Sequence, residues 1–112
     1  MESKTLSWEN LTRGDCTLNN GVLTLFDDGR VSWSASVRSS DASGPFSDSD
    51  SWQMTITLQD AYRNPIVTLP QLGSPSMTSD NMSYSWNQDF PSVPAVAQRF
   101  NDITRASSSS HC

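Results

Sequence analysis

Apolar and polar residues alternate strictly along three segments of the chain, residues 31–38, 52–59 and 82–87. In the first of these, Val31, Trp33, Ala35 and Val37 are separated by serines. Successive side chains of a β-strand point to opposite faces, so each segment is predicted to be a strand with one buried and one solvated face. Strands of this kind are typical of antiparallel sheets.

Turn-forming residues separate these strands. Residues 27–29 (Asp-Asp-Gly) and 19–21 (Asn-Asn-Gly) both offer the positive φ angles that tight hairpin turns need, so each is predicted to be a turn. Asn64-Pro65 is predicted to separate the strand at residues 52–59 from the next apolar run. A first strand is predicted at residues 5–8.

The period changes after Pro91, where a helix of about three turns is predicted. Ser92 is a candidate N-cap and Pro94 suits the first helical turn. The apolar residues that follow share one helical stripe, which we expect to pack against the sheet: Val96, Ala97, Phe100 and Ile103.

Strands in hairpin order, followed by one helix, predict an all-β fold. The expected architecture is an antiparallel up-and-down barrel, or a small sandwich, with a short C-terminal α-helix. The barrel is favoured because closure removes exposed sheet edges. Residues 1–106 are predicted to form this single domain, and the serine-rich residues 107–112 a flexible C-terminal tail.

The hairpin order, the Asp28-Gly29 turn and the closing helix resemble small calycin-type barrels, the lipocalin and avidin architecture. They also resemble small bacterial barrel domains of unknown function. Either resemblance implies a barrel. Neither brings with it any functional residue.

Charge narrows the classes of partner. The net charge is −5 and the basic residues are scattered, so nucleic acids and anionic membrane surfaces are not expected to bind. No apolar run is long enough to span a membrane. Residues 1–5 lack the features of a signal peptide, which favours a cytoplasmic protein or one exported by a non-classical route.

The sequence contains few residues that could form a catalytic or metal site. Cys16 and Cys112 could form a disulfide or remain two free thiols, and the apparently cytosolic start of the chain favours free thiols. The only histidine, His111, lies in the predicted tail, so neither a Cys-His nucleophile nor a zinc site is expected. No cofactor is predicted. The one alternative is calcium at Asp48 and Asp50, whose alternate spacing is typical of calcium loops.

The four tryptophans carry the functional hypothesis, because three of them lie on apolar strand faces. They could fill the core or line a cavity. The cavity interpretation predicts a non-catalytic module that holds a small molecule or sugar at an aromatic-lined barrel mouth, framed by loops at 39–51 and 70–81. The predicted ligand contacts are Trp33, Trp52, Tyr84 and Trp86, with Tyr62 exposed at the mouth.

Two alternatives remain open. One is a cofactor-free enzyme of the cyclase or isomerase type, which would need an enclosed barrel cavity with an inward charged group such as Arg38 or Asp60. The other is an acidic interaction or inhibitor protein that binds a basic partner, a possibility that the net charge allows.

Overall fold

The chain folds mostly as β-structure, in two antiparallel sheets. The computed structural model describes residues 1–41 and 50–112. A short helix, α1 (Pro94–Gln98), and a 3-10 turn at Phe100–Asp102 precede the last strand. The described strands are β1 (Ser3–Ser7), β2 (Leu11–Arg13), β3 (Cys16–Phe26), β4 (Val31–Ser39), β5 (Gln53–Gln59), β6 (Pro65–Thr68), β7 (Leu72–Gly73), β8 (Tyr84–Phe90) and β9 (Arg105–His111).

The first sheet has the strand order β1-β3-β4-β8. Strand β2 also pairs with β3, on the same side as β1 but at the other end of β3. In the second sheet β5 is central. Thr57 pairs with both Thr68 of β6 and Ser107 of β9, so β6 and β9 lie on opposite sides of β5. Strand β7 continues the β6 side, where Gln53 pairs with Gly73.

The alternation predicted for residues 31–38 and 52–59 is confirmed by β4 and β5, whose apolar residues are buried. The inward faces of both sheets contribute to one hydrophobic cluster, which therefore lies between them. The third predicted strand is confirmed only in part. It begins at Tyr84, and Met82 lies outside it with 53% of its surface exposed.

The all-β prediction is confirmed, whereas the closed barrel is not supported. In residues 1–41 and 50–112, no ladder of paired strands joins the two sheets. Side-chain contacts connect the first sheet to β9 and the residue after it. Trp8 Nε1 donates a hydrogen bond to Ser108 Oγ at 3.1 Å, and Cys16 forms a disulfide with Cys112. Two sheets around a shared core are closer to the sandwich alternative.

The turn predicted at residues 19–21 is wrong, because β3 runs through it as one strand. The residues on both sides pair with β4, and the register shifts between Asn19 and Val22. This shift is a β-bulge, in which Asn20 takes a φ of 56°. A Cβ atom at Gly21 would lie 3.0 Å from the Trp33 ring, so the bulge also brings the backbone close to the core.

The other two predicted turns are confirmed. Gly29 has a φ of 96° and its N–H donates to the Phe26 carbonyl at 3.0 Å, closing the hairpin between β3 and β4. The turn before Pro65 joins β5 to β6, which pair antiparallel. The first strand, predicted at residues 5–8, is also confirmed, but it spans Ser3–Ser7 and ends before Trp8.

The predicted helix is shorter than expected. α1 has five residues and its N-cap is Val93, which makes no side-chain capping bond, so the assignment of Ser92 as the cap is wrong. Val96, Phe100 and Ile103 are buried, whereas Ala97 is exposed. No helix in the described part of the chain has the length and apolar character needed to cross a membrane.

A lysine from β1 holds the chain where it leaves the helix. The ammonium of Lys4 donates to the carbonyls of Phe100 and Ile103 and lies 4.4 Å from the centre of the Phe100 ring. These bonds give partners to one carbonyl within the 3-10 turn and one just after it, and so tie β1 to the segment that leads into β9.

The predicted flexible tail is also wrong, since residues 105–111 form β9. This strand pairs with β5 at seven consecutive positions. The Cα atoms of Cys16 and Cys112 lie 6.2 Å apart and their side chains form a disulfide, so the preferred free-thiol interpretation does not hold either. The serines carry no hydrophobic signal, and they are ordered because β5 offers them a complete ladder of backbone partners.

Candidate functional site

Three of the predicted ligand contacts lie in the core and not at a cavity mouth. Trp33, Trp52 and Trp86 expose 2%, 0% and 2% of their surfaces. The ring centre of Trp33 lies 5.4 Å from that of Trp86 and 5.3 Å from that of Trp8, both in edge-to-face geometry. These indoles therefore act as packing groups. Neither of the two cavities described below is lined by them.

Tyr84, the fourth predicted contact, is half-buried and bonded to its own loop. Its phenolic oxygen accepts hydrogen bonds from the backbone N–H groups of Thr78 at 3.2 Å and Ser79 at 3.1 Å. The Thr78 hydroxyl lies 3.4 Å away. The Thr78 hydroxyl, together with the N–H groups of Thr78 and Ser79, stabilises the phenolate and lowers the pKa of Tyr84 to about 8.

This lowered pKa predicts an absorbance change at 295 nm in wild type. A rise equivalent to one tyrosinate is expected near pH 8, and it should be lost in Tyr84→Phe. The unfolded chain binds more protons between the folded pKa near 8 and the ordinary value near 10. The stability of wild type relative to Tyr84→Phe should therefore rise with pH across that window and be lost as pH falls through 8. Tyr62→Phe is the matched control and should keep the rise near pH 8. A titration unchanged by Tyr84→Phe would contradict the assignment.

Of the two predicted calcium contacts, the structure describes only Asp50. Asp48 lies outside the described residues. The carboxylate of Asp50 accepts a hydrogen bond from the Ser39 hydroxyl at 2.6 Å, and its backbone pairs with Met77. Residues 1–41 and 50–112 contain no group of three His, Cys, Asp or Glu side chains that could hold a metal ion. Asp50 thus fixes the end of β4, and calcium binding stays a prediction.

Tyr62, the fifth predicted contact, is exposed as expected and borders a surface cavity of about 270 Å³. We call this cavity the Tyr62 groove. It lies between the β5–β6 turn and the segment that joins α1 to β9, which are held together by a hydrogen bond from the Thr104 N–H to the Gln59 carbonyl at 3.1 Å. Its lining residues are Asp60, Ala61, Tyr62, Arg99, Asn101, Asp102 and Thr104.

The turn that carries Tyr62 is fixed by Asp60. The carboxylate of Asp60 accepts the N–H groups of Tyr62 at 2.8 Å and Asn64 at 2.9 Å, and the Asn64 amide at 3.3 Å. The Arg63 N–H donates to the Asp60 carbonyl, and Arg63 has a φ of 66°. The pKa of Asp60 is lowered, chiefly by the hydrogen bond from the Asn64 N–H. The Tyr62 N–H, the Asn64 side-chain amide and the charge of Arg99 lower it further. Tyr62 is therefore presented on a hydrogen-bonded, ionised turn.

The opposite wall of the groove has an ion pair. Arg99 Nε donates to Asp102 Oδ2 at 2.7 Å, and both side chains are about half exposed. Because Nε makes this contact, the two terminal nitrogens of the guanidinium can still donate to another molecule. Asn101 adds an amide, which has both a donor and an acceptor.

A second surface cavity, of about 290 Å³, lies at the β3–β4 hairpin. Two aromatic residues line it: the Arg30 guanidinium covers Phe26, 4.8 Å from the ring centre, and Phe90 is buried. Arg30 also forms an ion pair with Asp28 at 2.8 Å. The ring of Tyr62, with 86% of the residue exposed, offers more open aromatic surface, so the Tyr62 groove is the better candidate.

The sequence predicts the exposure of Tyr62, and it names Asp60 only as an inward group of an enzyme cavity; the other residues of the groove are not predicted. Asp60 and Asn64 bracket the turn that carries Tyr62, and their spacing is a signal for a side-chain-stabilised loop that could have been used. Arg99, Asn101 and Asp102 give no such signal, because only the folding of the chain brings them opposite the turn.

The groove lies within the part of the chain that is similar to a known family. No curated protein and no solved structure is significantly similar to this chain. Residues 22–112, which include every residue of the groove, match the model of a Family of unknown function (DUF6294). This match covers far more than half of the sequence. The chain therefore belongs to that family, DUF6294.

Proposed function

We propose that the protein is a non-catalytic binding module that holds a sugar, or a similarly polar small molecule, in the Tyr62 groove. The observation that carries this proposal is the exposed ring of Tyr62, of which 86% is accessible on a fixed turn. A sugar ring has an apolar face of C–H groups and an edge of hydroxyls. An aromatic side chain stacks on the apolar face, and polar neighbours form hydrogen bonds to the hydroxyls.

The remaining groups of the groove fit the hydroxyl edge. The guanidinium of Arg99 supplies donors, the carboxylate of Asp102 supplies acceptors, and the Asn101 amide supplies both. Asp60 fixes the turn that carries Tyr62, and Asp102 fixes the guanidinium of Arg99. Tyr62 and Arg99 are therefore oriented before a ligand binds. Such preorganisation reduces the conformational entropy lost on binding.

The electrostatics favour binding over glycoside hydrolysis. A glycosidase needs one carboxylic acid whose pKa is raised, so that it can protonate the leaving oxygen. The pKa of Asp60 is lowered instead, by N–H groups that bond its ionised form, and Asp102 is paired with Arg99. The enzyme alternative also required an inward charged group, but Arg38 is exposed and Asp60 lies in a surface turn.

The test is the loss of binding in Tyr62→Ala. Soluble hexasaccharides of glucose, xylose and N-acetylglucosamine are added to ¹⁵N-labelled protein, and the amide shifts of residues 60–64 and 99–104 are followed. At least one sugar is expected to shift these amides, and Tyr62→Ala is expected to weaken its binding about tenfold, equivalent to about 1.4 kcal/mol.

Two variants serve as controls. Tyr62→Phe keeps the stacking ring and should retain most of the affinity. Met82→Ala removes another exposed apolar side chain from outside the groove and should have no effect. The proposal fails if no sugar shifts these amides, or if Tyr62→Ala binds as tightly as wild type.

A further inference from the structure

Strand β9 presents a long backbone edge that has no partner among the described residues. It pairs with β5 on one side, and no other described strand pairs with it. No backbone hydrogen bond from elsewhere in the described chain reaches its other side. Ser107, Ser108 and Ser109 are all exposed. Trp8 Nε1 bonds the Ser108 hydroxyl, but this contact uses a side chain and leaves the backbone edge unpaired among the described residues. Unpaired N–H and C=O groups in a row form a template for another strand.

Between Ala106 and Ser110 this edge lacks the features that usually keep edges from pairing, and the charged Arg105 lies at the first residue of the strand. Natural edge strands are short, or include a proline, a bulge or a charge. Strand β7 has two residues, β6 begins at Pro65, β1 has Lys4 and β8 has Asp89. Between Ala106 and Ser110, β9 has no charge and no proline, and its register with β5 never shifts.

The edge is also held in place at both ends. The Thr104 N–H bonds the Gln59 carbonyl just before the strand begins, and the Cys112 disulfide to Cys16 follows its last residue. A strand that is ordered before association loses less conformational entropy when it pairs. The backbone donors and acceptors of β9 are thus already arranged for pairing.

We propose that β9 pairs antiparallel with β9 of a second copy of this chain, about a two-fold axis at Ser108. The strand is self-complementary there. Such a register sets Ser107 opposite Ser109 of the second copy and Ala106 opposite its Ser110, with small uncharged side chains at every central position. The two β5-centred sheets then form one continuous sheet across the dimer.

Sedimentation velocity tests this proposal on the full oxidised chain, from about 10 μM to about 1 mM, a range suited to a small interface. A reversible dimer is expected. Each copy has a net charge of −5, so raising NaCl from 0.05 M to 0.5 M should tighten dimerisation by screening repulsion. A chain that stays monomeric at 1 mM in both salts overturns the proposal.

Two double variants locate the interface. Ser107→Lys with Ser109→Lys sets like charges opposite each other at roughly 5 Å and should weaken dimerisation at least tenfold. Thr55→Lys with Thr57→Lys adds the same charges in the same rows of β5. Those lysines would lie about 14 Å from their counterparts, which is three strand spacings. At 0.15 M salt the screening length is about 8 Å, so dimerisation of this variant should persist in that salt. Equal effects of the two pairs would overturn the β9 assignment.

Discussion

Replacing Cys16 and Cys112 together by serine is expected to lower the free energy of unfolding by about 4 kcal/mol at 25 °C. The two cysteines are 96 residues apart in sequence, so the disulfide closes a loop that contains almost the whole chain. Opening a loop of this size gives the unfolded state much more conformational entropy. Guanidinium unfolding of the double variant and of oxidised wild type measures the difference.

Reduced wild type is the internal control. In excess dithiothreitol it should unfold at the same denaturant concentration as Cys16→Ser with Cys112→Ser, because both lack the same crosslink. A loss below about 1 kcal/mol would contradict the prediction and show that strand pairing alone holds β9. A structural disulfide persists in oxidising compartments. In a reducing compartment the Cys16–Cys112 bond would be lost, and with it the stabilisation that it provides.

The sequence predicts the strands that have one buried face and one solvent-exposed face. In β4 and β5 the polar and apolar residues alternate because each strand borders the core on one side only. The Asp28-Gly29 turn is equally readable, since glycine there takes a φ of 96° that other residues rarely adopt. Local preferences and the tertiary structure agree at these positions, so pattern alone is enough.

The sequence fails where distant pairing decides the structure. Asn20 takes a positive φ in a bulge, the same conformation that a hairpin turn would use. Only the pairing of β4 with both halves of β3 distinguishes the two. The serines of β9 have no hydrophobic pattern at all, and they form a strand because β5 and the Cys112 disulfide hold them there.

The candidate site could be predicted only in part for the same reason. Tyr62 stands out as an aromatic residue in a polar turn, so its exposure follows from local sequence. Trp33 and Trp86 lie on alternating strand faces, and that pattern fits both a lined cavity and a packed core. Distances between side chains decide the question, and they place these two indoles in edge-to-face contact.

Trp33→Ala is expected to lower the free energy of unfolding by about 3–5 kcal/mol, because it removes the central indole of the core. Trp33 exposes only 2% of its surface and packs edge-to-face against Trp8 on one side and Trp86 on the other. The loss combines apolar surface returned to water with a cavity between the two remaining rings. Guanidinium unfolding followed by far-UV circular dichroism measures it.

Two variants separate burial from ring contact as the source of this loss. Trp8→Ala removes an indole of the same size that is half-buried and shares one of the same contacts, so it should cost clearly less. Trp33→Phe keeps an aromatic ring and deletes the buried Nε1–H, which has no hydrogen-bond partner among the described residues. Losing an unpaired donor offsets part of the lost packing, so this variant should cost less than half as much as Trp33→Ala. Equal losses in Trp8→Ala and Trp33→Ala would show that ring contact, and not burial, accounts for the stabilisation.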